Sequence, residues 1–233
     1  MATRLFTVCS TARETSRAIL VSLEARGRAA DYAAGQAAMV GLASQSARRP
    51  YSIASAPEEV ERTGVMEFLV EVGPDGQPGP HLRSVAPGRR VAVEGPVGGF
   101  VLPRRLGREL LFVAGGTGIA PLRAMMGSAL RKRRPPRITM LYSARTPKEF
   151  AFIRELRCLS RQGRIRLCMT ASRAAPETWR GRRGRIRQAW IRALVRNRAP
   201  LCFLCGPESF VADVTTMLRA AGVPARNIRR ERY

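Results

Sequence analysis

Along residues 1–105, apolar and polar positions alternate over short runs. Arg4–Cys9 and Arg17–Leu23 carry a strand-like pattern, Val65–Val72 alternates in part, and Arg90–Glu94 alternates clearly. Turn-forming clusters separate them: Gly73-Pro74-Asp75-Gly76, Pro78-Gly79-Pro80, Pro87-Gly88 and Gly95-Pro96. Short strands divided by glycine and proline predict a sandwich or small antiparallel barrel. Helix in this half is expected only as a short piece near 80–85.

From about residue 106 the rhythm changes. Apolar strand-like runs at Leu110–Ala114, Ile138–Tyr142, Ile165–Met169 and Leu201–Leu204 alternate with helical spacing. The helical segments are 119–131, with Pro121 in its first turn, then 148–161 (Phe152, Leu156, Leu159), 185–197 (Ile186, Trp190, Leu194) and 207–221 (Val211, Val214, Leu218). A weak last strand falls at Asn227–Glu231. Strand–helix alternation at this spacing implies right-handed crossovers and a doubly wound parallel sheet. The expected organisation is two domains, 1–105 and 106–233, meeting near Pro103–Gly107.

Charge separates the halves again. Residues 1–105 hold 13 arginines against 10 acids, while 106–233 hold 28 cations against 7 acids, so the net +24 lies almost wholly in the second half. Such asymmetry fits an anionic partner: a phosphate-bearing cofactor, an acidic protein or nucleic acid. Only two of the cations are lysines, so an arginine bias of composition accounts for the pattern equally well. Aromatics are sparse at 6% and no groove-reading motif is present, which disfavours nucleic acid.

The five cysteines are scattered, only Cys202 and Cys205 have C-x-x-C spacing, and His81 is the single histidine. No metal site is therefore expected, nor a plant-type iron–sulfur loop. No apolar run nears the roughly 18 residues that span a bilayer. Residues 1–8 lack a signal-peptide core. The expected setting is the cytoplasm.

In open parallel sheets, ligands bind beyond the carboxyl ends of the strands. After Leu110–Ala114 comes Gly115-Gly116-Thr117-Gly118-Ile119-Ala120-Pro121, opening a helix. Glycines let the backbone approach a pyrophosphate, and the helix start offers unpaired N–H groups. A tight strand–helix connection uses the same residues. The next two strands end in Ser143-Ala144-Arg145 and Thr170-Ala171-Ser172-Arg173, with no acid for a ribose 2′-hydroxyl and an arginine suited to a 2′-phosphate. In the first half, Arg49-Pro50-Tyr51-Ser52 puts a cation, a flat aromatic and a hydroxyl on one extended segment, fit for a flavin; taken in isolation, a strand with Tyr51 in the core and Arg49 solvated is the better reading.

Taken together and in order, Tyr32-Ala33-Ala34-Gly35-Gln36, Arg49-Pro50-Tyr51-Ser52, Gly95-Pro96-Val97-Gly98-Gly99-Phe100, the 115–121 loop and Cys205-Gly206-Pro207 resemble the ferredoxin–NADP reductase-like flavoproteins. The resemblance covers about residues 4–233. It implies an antiparallel barrel binding FAD or FMN, then a nicotinamide-nucleotide domain. By the same resemblance Arg49 pairs a flavin phosphate, Tyr51 lies against the isoalloxazine with Pro50 beside it, and Ser52 reaches the N5 edge. The second flavin-phosphate segment falls on Gly79-Pro80-His81-Leu82, with Gly79 where the family usually shows serine. Gly116, Thr117 and Gly118 would carry the nicotinamide nucleotide, with Thr117 near its contact with the flavin. Gly206 and Pro207 would support the nucleotide, and Cys205 would sit beside the nicotinamide. The Glu231-Arg232-Tyr233 end is similar to plant-type members, whose terminal aromatic covers the flavin. Ser52, Cys205 and Glu231 would then line the hydride path. Ser172 and Arg173, with Ser143 and Arg145 nearby, match the pair that takes a 2′-phosphate, so NADP(H) is favoured over NAD(H).

The function implied is a flavin-dependent reductase that takes hydride from NAD(P)H and passes single electrons to a separate, acidic ferredoxin or flavodoxin. The alternative within enzymes is the NADH-using reductase component of a multicomponent oxygenase, which Trp179-Arg180-Gly181 resembles. The non-enzyme alternative is a basic nucleic-acid-binding protein on the same fold.

Overall fold

The structure is a computed structural model and describes residues 3–26, 31–195 and 199–233. It divides into two compact units. The first comprises residues up to Leu102 together with Arg123–Arg131; the second comprises Pro103–Leu122 together with Lys132–Tyr233.

The first unit is a six-stranded antiparallel sheet. In chain order its elements are β1 (Thr3–Thr15), β2 (Ala18–Glu24), β3 (Ala37–Leu42), β4 (Arg49–Ser52), helix α1 (Pro57–Thr63), β5 (Val65–Glu71) and β6 (Arg90–Val97). The strand order is β4-β3-β6-β1-β2-β5. Strand β1 serves two neighbours with successive stretches: Thr3–Thr7 pairs with β6 and Thr7–Thr15 with β2. The two edges meet just past β4, where Ile53 bridges Phe68 of β5 and the Ala54 N–H bonds the Glu67 carbonyl at 2.8 Å. That closure makes the sheet a barrel, which removes its free edges. Its core is built from Phe6, Val21, Leu23, Val40, Phe68 and Val91, each 4% exposed or less.

Two elements here went unread in the sequence. Helix α1 stands where only strand and turn were expected. Its signals are local: Pro57 at the first position, Glu58 and Glu59 in the first turn, and Gly64 left-handed at φ +70° closing the end. Strand β3 is the other. Near 80–85, where a short helix was expected, there is a single 3₁₀ turn, Pro80–Leu82.

From residue 109 onward the chain alternates strand and helix as its pattern foretold: β7 (Glu109–Gly115), α2 (Ile119–Leu130, whose residues from Arg123 on count with the first unit), β8 (Arg137–Ala144), α3 (Ile153–Arg161), β9 (Arg166–Ala171), β10 (Arg182–Arg183), α4 (Gln188–Val195), β11 (Leu201–Gly206), α5 (Glu208–Ala220) and β12 (Ile228–Arg232). All pairs are parallel, in the order β10-β9-β8-β7-β11-β12. Central β7 is buried on both faces, with Leu110–Ala114 at 2% exposure or less, as a doubly covered parallel strand must be. The order reverses between β7 and β11.

Helix α3 departs from its expected span. Residues 147–149 form a 3₁₀ turn, and Phe152 takes φ +56° at the helix start. Phe152 therefore precedes the helix and is not part of its apolar face. The helix expected over 185–197 runs as α4; residues 196 and 197 lie outside the described residues. Among the described residues no helix is long and apolar enough to cross a membrane.

Candidate functional site

In the first unit, β4 holds Arg49 and Pro50 exposed and Tyr51 and Ser52 half-buried. Its register against β3 sets Val40 opposite Arg49 and Ala38 opposite Tyr51. The 3₁₀ turn after Gly79 brings His81 to this strand. The Tyr51 hydroxyl and His81 Nε2 are 2.7 Å apart, and the rings stack with centroids at 5.7 Å and 24° between planes. Burial pushes His81 below its ordinary value, with a smaller push from the Arg49 charge. Burial likewise raises the Tyr51 phenol to about 12. A neutral imidazole accepting from a neutral phenol is the arrangement both shifts favour.

Gly79 has a local reason. A Cβ there would lie 3.0 Å from His81 Cε1 and 3.2 Å from Nδ1. A side chain at 79 would press on the observed His81 ring, which would have to give by a few tenths of an ångström. Pro80 has no N–H to donate. Leu82, fully buried, belongs with the barrel core, so only its backbone is available to a ligand.

Arg49 has no ion-pair partner among the described residues. An exposed cation, an aromatic face and a hydroxyl in a row on one extended strand fit a ligand with a phosphate and a flat ring system. The turn before β3 is rigidly built. The Tyr32 hydroxyl donates to the Ser55 carbonyl at 2.8 Å. Gln36 accepts from the Ala33 N–H at 2.8 Å and donates to the Gly98 carbonyl at 3.0 Å. Gly35, at φ +102°, could carry no side chain: a Cβ would meet the Phe100 carbonyl oxygen at 2.3 Å.

These groups make a prediction. His81 is held neutral in the fold but titrates near its ordinary value when unfolded. Below that value the unfolded chain binds the extra proton, so stability falls as pH drops through the ordinary histidine range. Thermal melts between pH 7 and pH 5 should show a steeper loss for the parent protein than for His81→Gln. Equal slopes would remove His81 from the acid response.

In the second unit, the site lies where the strand order reverses. Strand β7 ends at Gly115, a 3₁₀ turn spans Gly116–Gly118, and α2 follows. Beside it, β11 ends at Gly206 and Pro207 opens α5. Glycine is required by close approach: a Cβ on Gly118 would stand 2.3 Å from the Cys205 carbonyl oxygen. The two loops thus pack backbone to backbone, and this crevice is where open parallel sheets take nucleotides.

Four residues shape the crevice. The Tyr233 hydroxyl accepts from Thr117 Oγ1 at 3.0 Å and the Gly118 N–H at 3.2 Å, and donates to the Gly115 carbonyl at 2.9 Å. Tyr142, read only as the end of a strand, is fully buried and braces the loop from below: its hydroxyl donates to the Gly116 carbonyl at 3.0 Å and accepts from the Ala151 N–H at 3.1 Å. Cys205 pairs in register with Glu231, and its Sγ lies 3.9 Å from Glu231 Oε2. Burial first, then the Glu231 charge, raises the Cys205 thiol well above its ordinary value. It is a protonated, weakly nucleophilic group, able to donate toward a carboxylate. Ser52 sits in the first unit, on β4.

Beyond β8 and β9 the backbones continue side by side. The Ser172 N–H bonds the Ala144 carbonyl at 2.8 Å, and the Arg173 N–H bonds the Arg145 carbonyl at 2.7 Å. Ser143, Arg145, Ser172 and Arg173 are thereby gathered at one end of the sheet, with no carboxylate among residues 143–146 or 170–176. Among the described residues no cluster of metal-binding side chains occurs.

Comparison with known proteins accords with both halves. The oxidoreductase FAD-binding domain family matches residues 5–102, and the oxidoreductase NAD-binding domain family matches residues 112–216. A ferredoxin–NADP reductase B of Sorangium cellulosum is 34% identical over 90% of this chain and 88% of its own length. One component of the Na(+)-translocating NADH-quinone reductase of Marinomonas is 30% identical over 77% of this chain, which spans about half (47%) of that relative. Among solved structures, the ferredoxin reductase in carbazole 1,9a-dioxygenase superposes with a TM-score of 0.85 at 22% identity, covering 99% of this chain and 69% of that one. With an antiparallel barrel followed by a parallel doubly wound sheet, each matched by its domain family, this chain belongs to the ferredoxin–NADP reductase-like flavoproteins and is an NAD(P)H-dependent flavoprotein reductase.

Proposed function

We propose that this reductase takes hydride from NADPH in preference to NADH and delivers electrons singly to a separate acidic protein, a ferredoxin or flavodoxin. The observation that carries the nucleotide preference is the side-by-side seating of Ser172–Arg173 and Ala144–Arg145 at the carboxyl ends of β8 and β9. Two arginines and two serines fall in these adjoining segments, with no carboxylate among residues 143–146 or 170–176, a set that suits a 2′-phosphate. The Sorangium relative carries NADP in its name, whereas the Marinomonas relative is named for NADH.

A bound flavin supplies the capacity to accept a hydride and release electrons one at a time. The protein's part is placement and electrostatics. Arg49 would pair a flavin phosphate, Tyr51 with Pro50 would hold the ring system, and Ser52 would offer it a hydroxyl. Backbone groups of Gly79 and His81 would serve the second phosphate position. Gly116, Thr117 and Gly118, with Gly206 and Pro207, admit the nicotinamide nucleotide at the crevice. Cys205 and Glu231 form a polar pair beside it, where the thiol holds its proton. The basic second half steers the acceptor.

An NADH-using oxygenase reductase is the second reading. It is favoured by Trp179, which follows the Ser-Arg pair and stacks on Phe150 at 5.3 Å between centroids. The test is a visible absorption spectrum of the purified protein, followed by anaerobic bleaching with each nucleotide. A yellow protein bleached faster by NADPH, and reducing an acidic ferredoxin more slowly as salt rises, supports the first reading. Faster bleaching by NADH supports the second, and a colourless protein that takes up neither FAD nor FMN overturns both.

A further inference from the structure

The second unit carries an arginine-walled groove whose arginines neither cofactor reading uses. Strand β10 covers β9 only at Thr170 and Ala171, opposite Arg182 and Arg183. Among the described residues no strand pairs with the outer edge of Arg166–Met169. A groove of about 1010 Å³ opens along that edge. Arg154, Arg157 and Arg161 wall it from α3, joined by Arg166 and Arg182. The three helix arginines are spaced i, i+3, i+7, which sets them on one face. The floor is Leu167, Cys168 and Met169, with Trp179 at one side, and no acid lines the groove.

Two features select the occupant. A free strand edge presents a row of alternating N–H and C=O groups, and only another peptide backbone can match both. Guanidinium forks on its rim bind carboxylates in pairs. A phosphodiester chain satisfies the second feature and not the first. We propose that this groove binds an extended acidic segment of a partner protein, added as a strand to β9. The site lies wholly in the second unit and does not depend on which nucleotide or electron acceptor the enzyme uses.

The experiment uses the flavin-loaded protein, ¹⁵N-labelled, and a blocked octapeptide of alternating glutamate and threonine. The peptide should bind saturably and shift the amide signals of Arg166–Met169. Reversing charge in Arg157→Glu with Arg161→Glu should weaken it by about tenfold or more, since attraction to the peptide's carboxylates becomes repulsion. The turnover of NADPH with ferricyanide should be unchanged in that variant. The same peptide N-methylated at every second residue should bind far more weakly. Absence of saturable binding, equal binding of the methylated peptide, indifference to the charge reversal, tighter binding of an oligothymidylate of equal charge, or displacement by NADP+ would each overturn the proposal.

Discussion

Arg173→Ala should lower kcat/KM for NADPH by roughly 10- to 100-fold, because a charge-assisted hydrogen bond is worth about 1.5–3 kcal/mol, and should leave kcat/KM for NADH nearly unchanged. The deletion is clean. Arg173 is exposed, and its side chain makes no ion pair among the described residues. Its place in the fold comes from its backbone N–H, bonded to the Arg145 carbonyl, which alanine keeps. A loss confined to NADPH is therefore a loss of phosphate binding. Steady-state kinetics with both nucleotides decides it: equal losses would mean that Arg173 does not read the 2′-phosphate.

The second large effect is on stability. Arg123 is 8% exposed and belongs to the first unit. It donates to the Ala54 carbonyl at 3.0 Å and to Glu67 Oε2 at 2.8 Å, with Glu59 Oε1 at 3.5 Å. Breaking a buried ion pair from one side typically costs about 3–5 kcal/mol, because a desolvated charge is left behind. Glu67 and Glu59 keep some solvent, at 19% and 29% exposure. Arg123→Ala should thus destabilise the protein by about 3 kcal/mol, at the low end of that range. Urea unfolding reads it. Arg123→Met combined with Glu67→Gln should recover part of the loss, since the stranded carboxylate is gone. A cost under about 1 kcal/mol for the single variant would show the pair to be a weakly coupled surface contact.

Much of the candidate site was legible because its chemistry is local. The turn 115–118 offers backbone room for a phosphate in its glycines, and Ser172-Arg173 stands out by residue type and position after a strand. Other parts were not. Tyr142 looks like any strand residue; that its hydroxyl braces Gly116 depends on a chain reversal 26 residues long. His81 follows an unremarkable turn, and only folding sets it on Tyr51. Nothing beside Arg123 in the sequence marks it, since its carboxylates stand 56 and 64 residues away. Helix α1 was legible in principle from Pro57, the two glutamates and Gly64, but seven residues make too few turns to show a periodicity.

The chain's own pattern determined the two sheet types, the parallel crossovers and the glycine elbow, because side-chain period, turn chemistry and crossover handedness act over a few residues or one connection. The closing of the barrel at Ile53 and Phe68, the strand order that puts β11 beside β7, the pairing of Cys205 with Glu231 and the uncovered edge of β9 were decided by tertiary structure alone. Each joins residues distant in sequence, and such contacts form only when the whole core is buried at once.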